Sequence, residues 1–200
     1  MAAYDMLLDL IREYFIHLGY NNNYIFDFFS NSNFKSILSI RLANSNVMIS
    51  NKTDRRSHQT HIAVTGEGIE FFYNYEDFLA LDNTKIDRMQ IEISDSNIKD
   101  LKHQEINLFN TFFLKFNEGI VTVGKRTQNQ VQLSKKNREN SEFFNSLRLG
   151  LFENDLLIML KYRNKECILA IGIPQTFYLD YIPNYVNQYE ANTYLCLPKV

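Results

Sequence analysis

The sequence predicts a mainly β fold of the α+β kind, with a helix at its amino terminus. Three observations carry this. Apolar residues recur at helical spacing over the first eighteen positions. From residue 34 to residue 173, short apolar runs alternate with polar turns. Two nearly continuous apolar runs then close that region as a hairpin. With 200 residues, 45% of them apolar, the chain is long enough for one domain with a sizeable core.

The elements follow in order. Leu7, Leu10, Ile11, Tyr14, Phe15 and Leu18 stand three and four apart, while Asp5, Asp9, Arg12 and Glu13 fall on the other face. This is an amphipathic helix, and Gly19 sits where a left-handed cap ends it. Asn21, Asn22 and Asn23 make a loop, and residues 24–29 are a short apolar piece whose type the pattern leaves open. Residues 37–42 and 47–49 are strand candidates. Residues 61–65 and 69–75 flank Gly66-Glu67-Gly68, which reads as a hairpin turn. Met89, Ile91 and Ile93 alternate with Gln90, Glu92 and Ser94, the pattern of a half-buried strand. Leu108, Phe112, Leu114 and Phe116 line the next strand candidate. Asn117-Glu118-Gly119 turns the chain into residues 120–123, and residues 131–133 continue after a polar gap. Residues 141–149 read as a short helix. The closing hairpin pairs residues 156–162 with 167–173 across Arg163-Asn164-Lys165, and its apolar arms call for cover on both faces. These elements place one domain at residues 1–173. All three prolines and five tyrosines fall after it, so residues 174–200 are expected to be a tail, a strap on the domain, or a linker toward a downstream domain.

Composition excludes several function classes. The formal net charge is −2, which rules out a uniformly basic nucleic-acid binder but not one with a local basic face. No run of apolar residues is long enough to span a membrane, and Asp5, Asp9 and Glu13 interrupt what would be a secretory leader. A cytoplasmic protein without a membrane partner is expected. Cys167 and Cys196 form no disulfide or metal pattern and suit a reducing compartment.

The small net charge conceals segregation. Residues 41–63 carry +3 and residues 119–170 carry +4, separated by −6 over residues 64–118. The first positive stretch holds a twelve-residue run without one apolar side chain. It includes Asn51, Lys52, Arg55, Arg56, Ser57, His58 and Gln59. The second is Lys125, Arg126, Thr127, Gln128, Asn129 and Gln130, placed between two strands like a hairpin tip. Lys135, Lys136 and Arg138 follow. A charge run is usually just a solvated face. Here, however, Arg suits the O6 and N7 of guanine, Asn and Gln suit adenine, and Lys suits phosphate.

Other constellations are weaker. His58 and His61 offer two metal ligands where three or four are needed, so neither a metal nor a cofactor is expected. Asp100-Leu101-Lys102 is an acid-x-Lys triplet of the kind metal-dependent nucleases use, but it lies in a polar stretch without a strand around it. No phosphate-cradling GxxxxGK[ST] loop, GxSxG or GxGxxG occurs. No active site is visible, and the chain is expected not to be an enzyme.

The run from about residue 112 to residue 173 resembles the second half of the plant B-three DNA-binding domain and its bacterial restriction-enzyme relatives. The resemblance lies in the order of parts: strand 120–123, the arm 125–130, strand 131–133, helix 141–149, a turn at Asn154-Asp155 and the closing hairpin. The family often has Gly-Asp at that turn, and Asn tolerates the left-handed geometry it requires. The Asn-rich, glycine-poor style is similar to the amino-terminal domain of McrBC-like, GTP-dependent restriction subunits of the LlaJI type. The resemblance implies an open seven-stranded β-pseudobarrel with short flanking helices. It implies two arms that grip the major groove, one within residues 51–61 and one at residues 125–130, with Lys135, Lys136 and Arg138 on flanking phosphates. It further implies double-stranded DNA as one partner and the nuclease subunit of a restriction complex as another, with GTP hydrolysis and cleavage residing elsewhere. The competing readings are a protein-interaction module, favoured by the acidic middle and the Tyr-rich tail, and a metal-dependent nuclease using Asp100 and Lys102.

Overall fold

The computed structural model describes residues 3–47, 61–83, 86–94, 114, 116–126, 129–134, 147–148, 150–182 and 193–196. The described strands form one open, curled, half-barrel sheet: β1 (Phe34–Arg41), β2 (His61–Val64), β3 (Ile86–Ser94), β4 (Phe116–Arg126), β5 (Gln130–Ser134), β6 (Leu156–Tyr162), β7 (Cys167–Ile173) and β8 (Thr193–Cys196). Their order across the sheet is β2-β5-β4-β3-β7-β6-β1-β8. Seven strands make the body of the half-barrel, and the four-residue β8 extends one edge. Among the described strands, β3 and β7 are the one parallel pair, meeting from Gln90↔Cys167 to Ile93↔Ala170.

The helices are α1 (Ala3–His17), α2 (Asn22–Phe28), α3 (Asn44–Val47), α4 (Tyr75–Ala80) and α5 (Gln175–Tyr181), with a 3-10 helix at Gly66–Phe71. The expected apolar stripe of α1 is buried from Leu7 to Phe15, whereas Leu18 lies past the helix end and is exposed. Gly19, at φ 96°, ends it by a double cap in which Gly19 N–H donates to Ile16 O and Tyr20 N–H to Phe15 O. Residues 24–29, left open by the pattern, belong mostly to α2, whose start is capped by Asn21 accepting from Tyr24 N–H.

Two apolar layers cover the two faces of the sheet. On one face, α1, α2 and Tyr178 of α5 pack on Phe34, Ile158, Leu160, Leu169 and Ile171. On the other, Ile69, Phe71, Phe72 and Phe78 fill the hollow of the half-barrel against Ile91, Val121, Val123, Val131 and Met159. The β6–β7 hairpin lies between the layers, which is why both of its arms are apolar.

Several expectations give way. The Gly66-Glu67-Gly68 turn does not open a hairpin. Gly66 takes φ 58° and starts the 3-10 helix, because Ile69, Phe71, Phe72 and Phe78 must all reach one hollow. Val47 ends a short helix rather than starting a strand. Residues 117–119 are not a turn but lie within β4, paired with β3 throughout.

After residue 173, the described residues 174–182 and 193–196 pack on the rest. Tyr178 is fully buried and its hydroxyl donates to Asn154 O at 2.7 Å, while β8 pairs with β1. Among the described residues, no helix is long and apolar enough to cross a membrane.

Candidate nucleic-acid interface

The second polar arm is a β-hairpin. The β4–β5 ladder closes at Arg126↔Gln130, with three residues of sequence between its strands. Asn129 has φ 51°, the left-handed position that such a loop needs at its third residue. Asn fills it because its short polar side chain tolerates this region better than most. Five hydrogen-bonding residues, 126–130, therefore stand in succession at the end of a two-stranded ribbon. Asn129 is exposed and Gln130 half-buried. The positions of Thr127 and Gln128 and the side chain of Arg126 lie outside the described residues.

Lys125, whose charge suggests a phosphate contact, also holds two parts of the protein together. Its Nζ donates to Leu79 O at 2.9 Å and stands 5.0 Å from the centre of the Phe78 ring. It ties the hairpin, next to its tip, to the carboxyl end of α4, where a cation meets the negative end of the helix dipole. Lys161 does the same for the 3-10 helix, donating from Nζ to Phe71 O at 2.6 Å.

Strand register fixes how the remaining arms relate. β2 pairs with β5 from His61↔Ser134 to Val64↔Val131. The chain thus enters β2 and leaves β5 at one end of this ladder, while the 126–130 tip caps the other. The first polar stretch ends at this entry, and the stretch holding Lys135, Lys136 and Arg138 begins at this exit. The register sets His61, at the end of the first stretch, opposite Ser134, which precedes the third. His61 faces Gln132 there, Nε2 to Nε2 at 3.2 Å. Asn51, Lys52, Arg55, Arg56, Ser57, His58, Gln59, Lys135, Lys136 and Arg138 lie outside the described residues, as do Asp100 and Lys102.

The sheet face on which α1 and α2 lie is uneven. Helices cover it over β7, β6 and β1. Over β3 and β4 it is open, with exposed Arg88, Gln90, Glu118 and Ile120. Gln90 Nε2 donates to Glu118 at 3.4 Å. Toward the helices, Glu92 and Ser94 become buried, against the half-exposed pattern their alternation predicts. Glu92 is satisfied: the Tyr162 hydroxyl donates to its Oε2 at 2.7 Å, and Lys165 Nζ pairs with its Oε1. Burial first, and then the Glu92 carboxylate, push the Tyr162 phenol far above its ordinary range. Burial likewise pushes the Cys167 thiol up to about 11, so it is an inert core group at neutral pH. Among the described residues, no group of three or more His, Cys, Asp or Glu side chains could hold a metal ion.

Comparison with protein-family models, with curated proteins and with solved structures found no match to this chain.

Sequence reasoning missed two features. The polar trio at Glu92 joins residues some seventy positions apart, and no local spacing signals it. A cleft lined by Arg88 and Lys161 depends on where β3 leaves β7, which is a matter of register alone.

Proposed function

We propose that this chain recognises a specific site in double-stranded DNA, as the targeting module of a restriction complex whose cleavage and nucleotide hydrolysis lie elsewhere. The observation that supports the reading is the β4–β5 ribbon ending in Arg126-Thr127-Gln128-Asn129-Gln130. A two-stranded ribbon fits the major groove, and these side-chain types read base edges there. Arg126 is the guanine reader, and Gln128 and Asn129 are the adenine readers. The polar stretches that precede His61 and follow Ser134 in the sequence supply a second contact, with Lys52, Lys135, Lys136 and Arg138 on phosphates and Arg55, Arg56 and Gln59 on bases. The acidic exposed side chains of residues 64–118 then turn away from the duplex, since they oppose phosphate.

The test is selection from a random duplex pool, followed by titration of the enriched site at two salt concentrations. The reading expects one enriched motif and an affinity that falls steeply with salt. Arg126→Ala should cost about 1–3 kcal/mol and relax one base position, while Lys135→Ala should weaken all sequences alike and lower the salt slope by about one. No enrichment, with no retention at low salt, would overturn it.

A further inference from the structure

An open cleft of about 470 Å³ lies between α1 and α5, and none of its lining residues belongs to the β4–β5 hairpin. Each helix supplies three side chains: Glu13, Ile16 and His17 from α1, and Phe177, Asp180 and Tyr181 from α5. Both sets are spaced i, i+3, i+4, so each helix turns one face to the cleft. Ring contacts fix the two faces against each other. Phe177 stands edge-on to the buried Tyr14 at 5.1 Å and lies 5.2 Å from His17.

The floor of the cleft is aromatic. Phe177 is half-buried, Tyr181 is 42% exposed, and their rings lie within 7° of parallel with centres 6.5 Å apart. The rim is acidic. Glu13 stands on one helix and Asp180 on the other, and neither carboxylate has a hydrogen bond or ion pair with another described residue. Asp5 and Asp9 precede Glu13 at steps of four, so a ridge of carboxylates runs along α1 to the cleft. Arg12, the lysine-or-arginine charge of that helix, is committed to Asp9 and to the Phe29 carbonyl.

We propose that this cleft docks an arginine carried by a basic peptide segment of a partner protein. The guanidinium is planar, so it stacks on the exposed Tyr181 ring while its fork reaches Asp180 or Glu13; a compact ammonium does this less well. Ile16 and Phe177 take the alkyl stem, which stays apolar up to the charge. The ridge at Asp5 and Asp9 takes a further basic residue of the same segment. That continuation makes the occupant a chain rather than a free small cation. The proposal does not rest on the DNA reading, since it uses no residue of the polar stretches.

The experiment is a titration of the full chain with a blocked pentapeptide that has arginine at its first, third and fifth positions and glycine between, followed by the Ile16 methyl signal. The signal should shift saturably. Tyr181→Ala should weaken binding roughly two- to fivefold, the weight of an exposed cation–π contact, whereas Tyr181→Phe should keep the affinity. Glu13→Gln combined with Asp180→Asn should weaken it by roughly tenfold, as loss of two exposed ion pairs does. The same peptide with lysine for arginine should bind more weakly. Arginine amide that binds as tightly as the peptide would assign the cleft to a small cation. A dimer of the chain that Tyr181→Ala dissolves would assign it to a second copy. Either result would overturn the proposal, as would the lack of a saturable shift with the peptide, or equal affinity in Tyr181→Ala and the wild type.

Discussion

Removing the Glu92 carboxylate should destabilise the junction between β3 and the β6–β7 hairpin by an amount that can be worked from its partners. Glu92 is 4% exposed and Tyr162 8%, whereas the Lys165 side chain is 47% exposed. In Glu92→Leu the Tyr162 hydroxyl loses its acceptor inside the protein, which costs about 1–3 kcal/mol. Lys165 can turn to water, so losing its ion pair adds at most about 1 kcal/mol. The middle of these ranges is about 2–3 kcal/mol, and at roughly 2–4 °C per kcal/mol for a chain of this size the melting temperature falls by several degrees. Urea denaturation of the wild type, Glu92→Leu, Tyr162→Phe and the double variant forms a cycle that isolates the pair. Tyr162→Phe should cost clearly less once Glu92 is gone, with a coupling of about 1–2 kcal/mol. Additive single-variant effects would show that the hydroxyl does not depend on the carboxylate, and the reasoning would fail.

Three further outcomes are expected. Asn129→Gly should keep or slightly raise stability, while Asn129→Val should lower it by about 1–2 kcal/mol, because the left-handed backbone there disfavours a Cβ-branched residue; thermal melts decide between them. Lys125→Met should loosen the tip end of the hairpin from α4, read as faster amide exchange at Phe78 and Leu79, and an unchanged exchange rate would refute the tie. Burial pushes the Tyr14 phenol from 10 up to about 12, with Asp155 and Tyr20 adding to it. A raised phenol favours the folded state fully below pH 10, and this contribution is lost as pH rises from 10 toward 12. Denaturation at stepped alkaline pH should show that fall, and it should shrink in Tyr14→Phe.

The parts of the fold legible in the sequence are those with local pattern. α1 shows its stripe, the β6–β7 hairpin shows two apolar arms, and Asn154, at φ 68°, takes the left-handed turn geometry expected of it. Residues 66–80 misled because two glycines between apolar runs look like a turn, whereas the aromatic side chains there are set by a hollow built from distant strands. The region after residue 173 is silent for a similar reason: Tyr178 has no periodic neighbours to announce it, and its burial is decided by Asn154 and α1. For the site, the polar tip at 126–130 could be read directly. The engagement of Lys125 by Leu79 could not, nor could the Arg88–Lys161 cleft, since both follow from contacts between segments that no spacing relates.

The place of β1 in the sheet bears on how the chain is made. β1 ends at Arg41, and its first partner in the ladder, Leu156, emerges about 115 residues later. At ribosomal speeds of about 5–20 residues per second, that interval is roughly 6–23 s. Throughout it, an apolar strand destined for the middle of the molecule has neither edge paired. Slowing translation before residue 156 lengthens that exposure and should lower the yield of native protein rather than raise it.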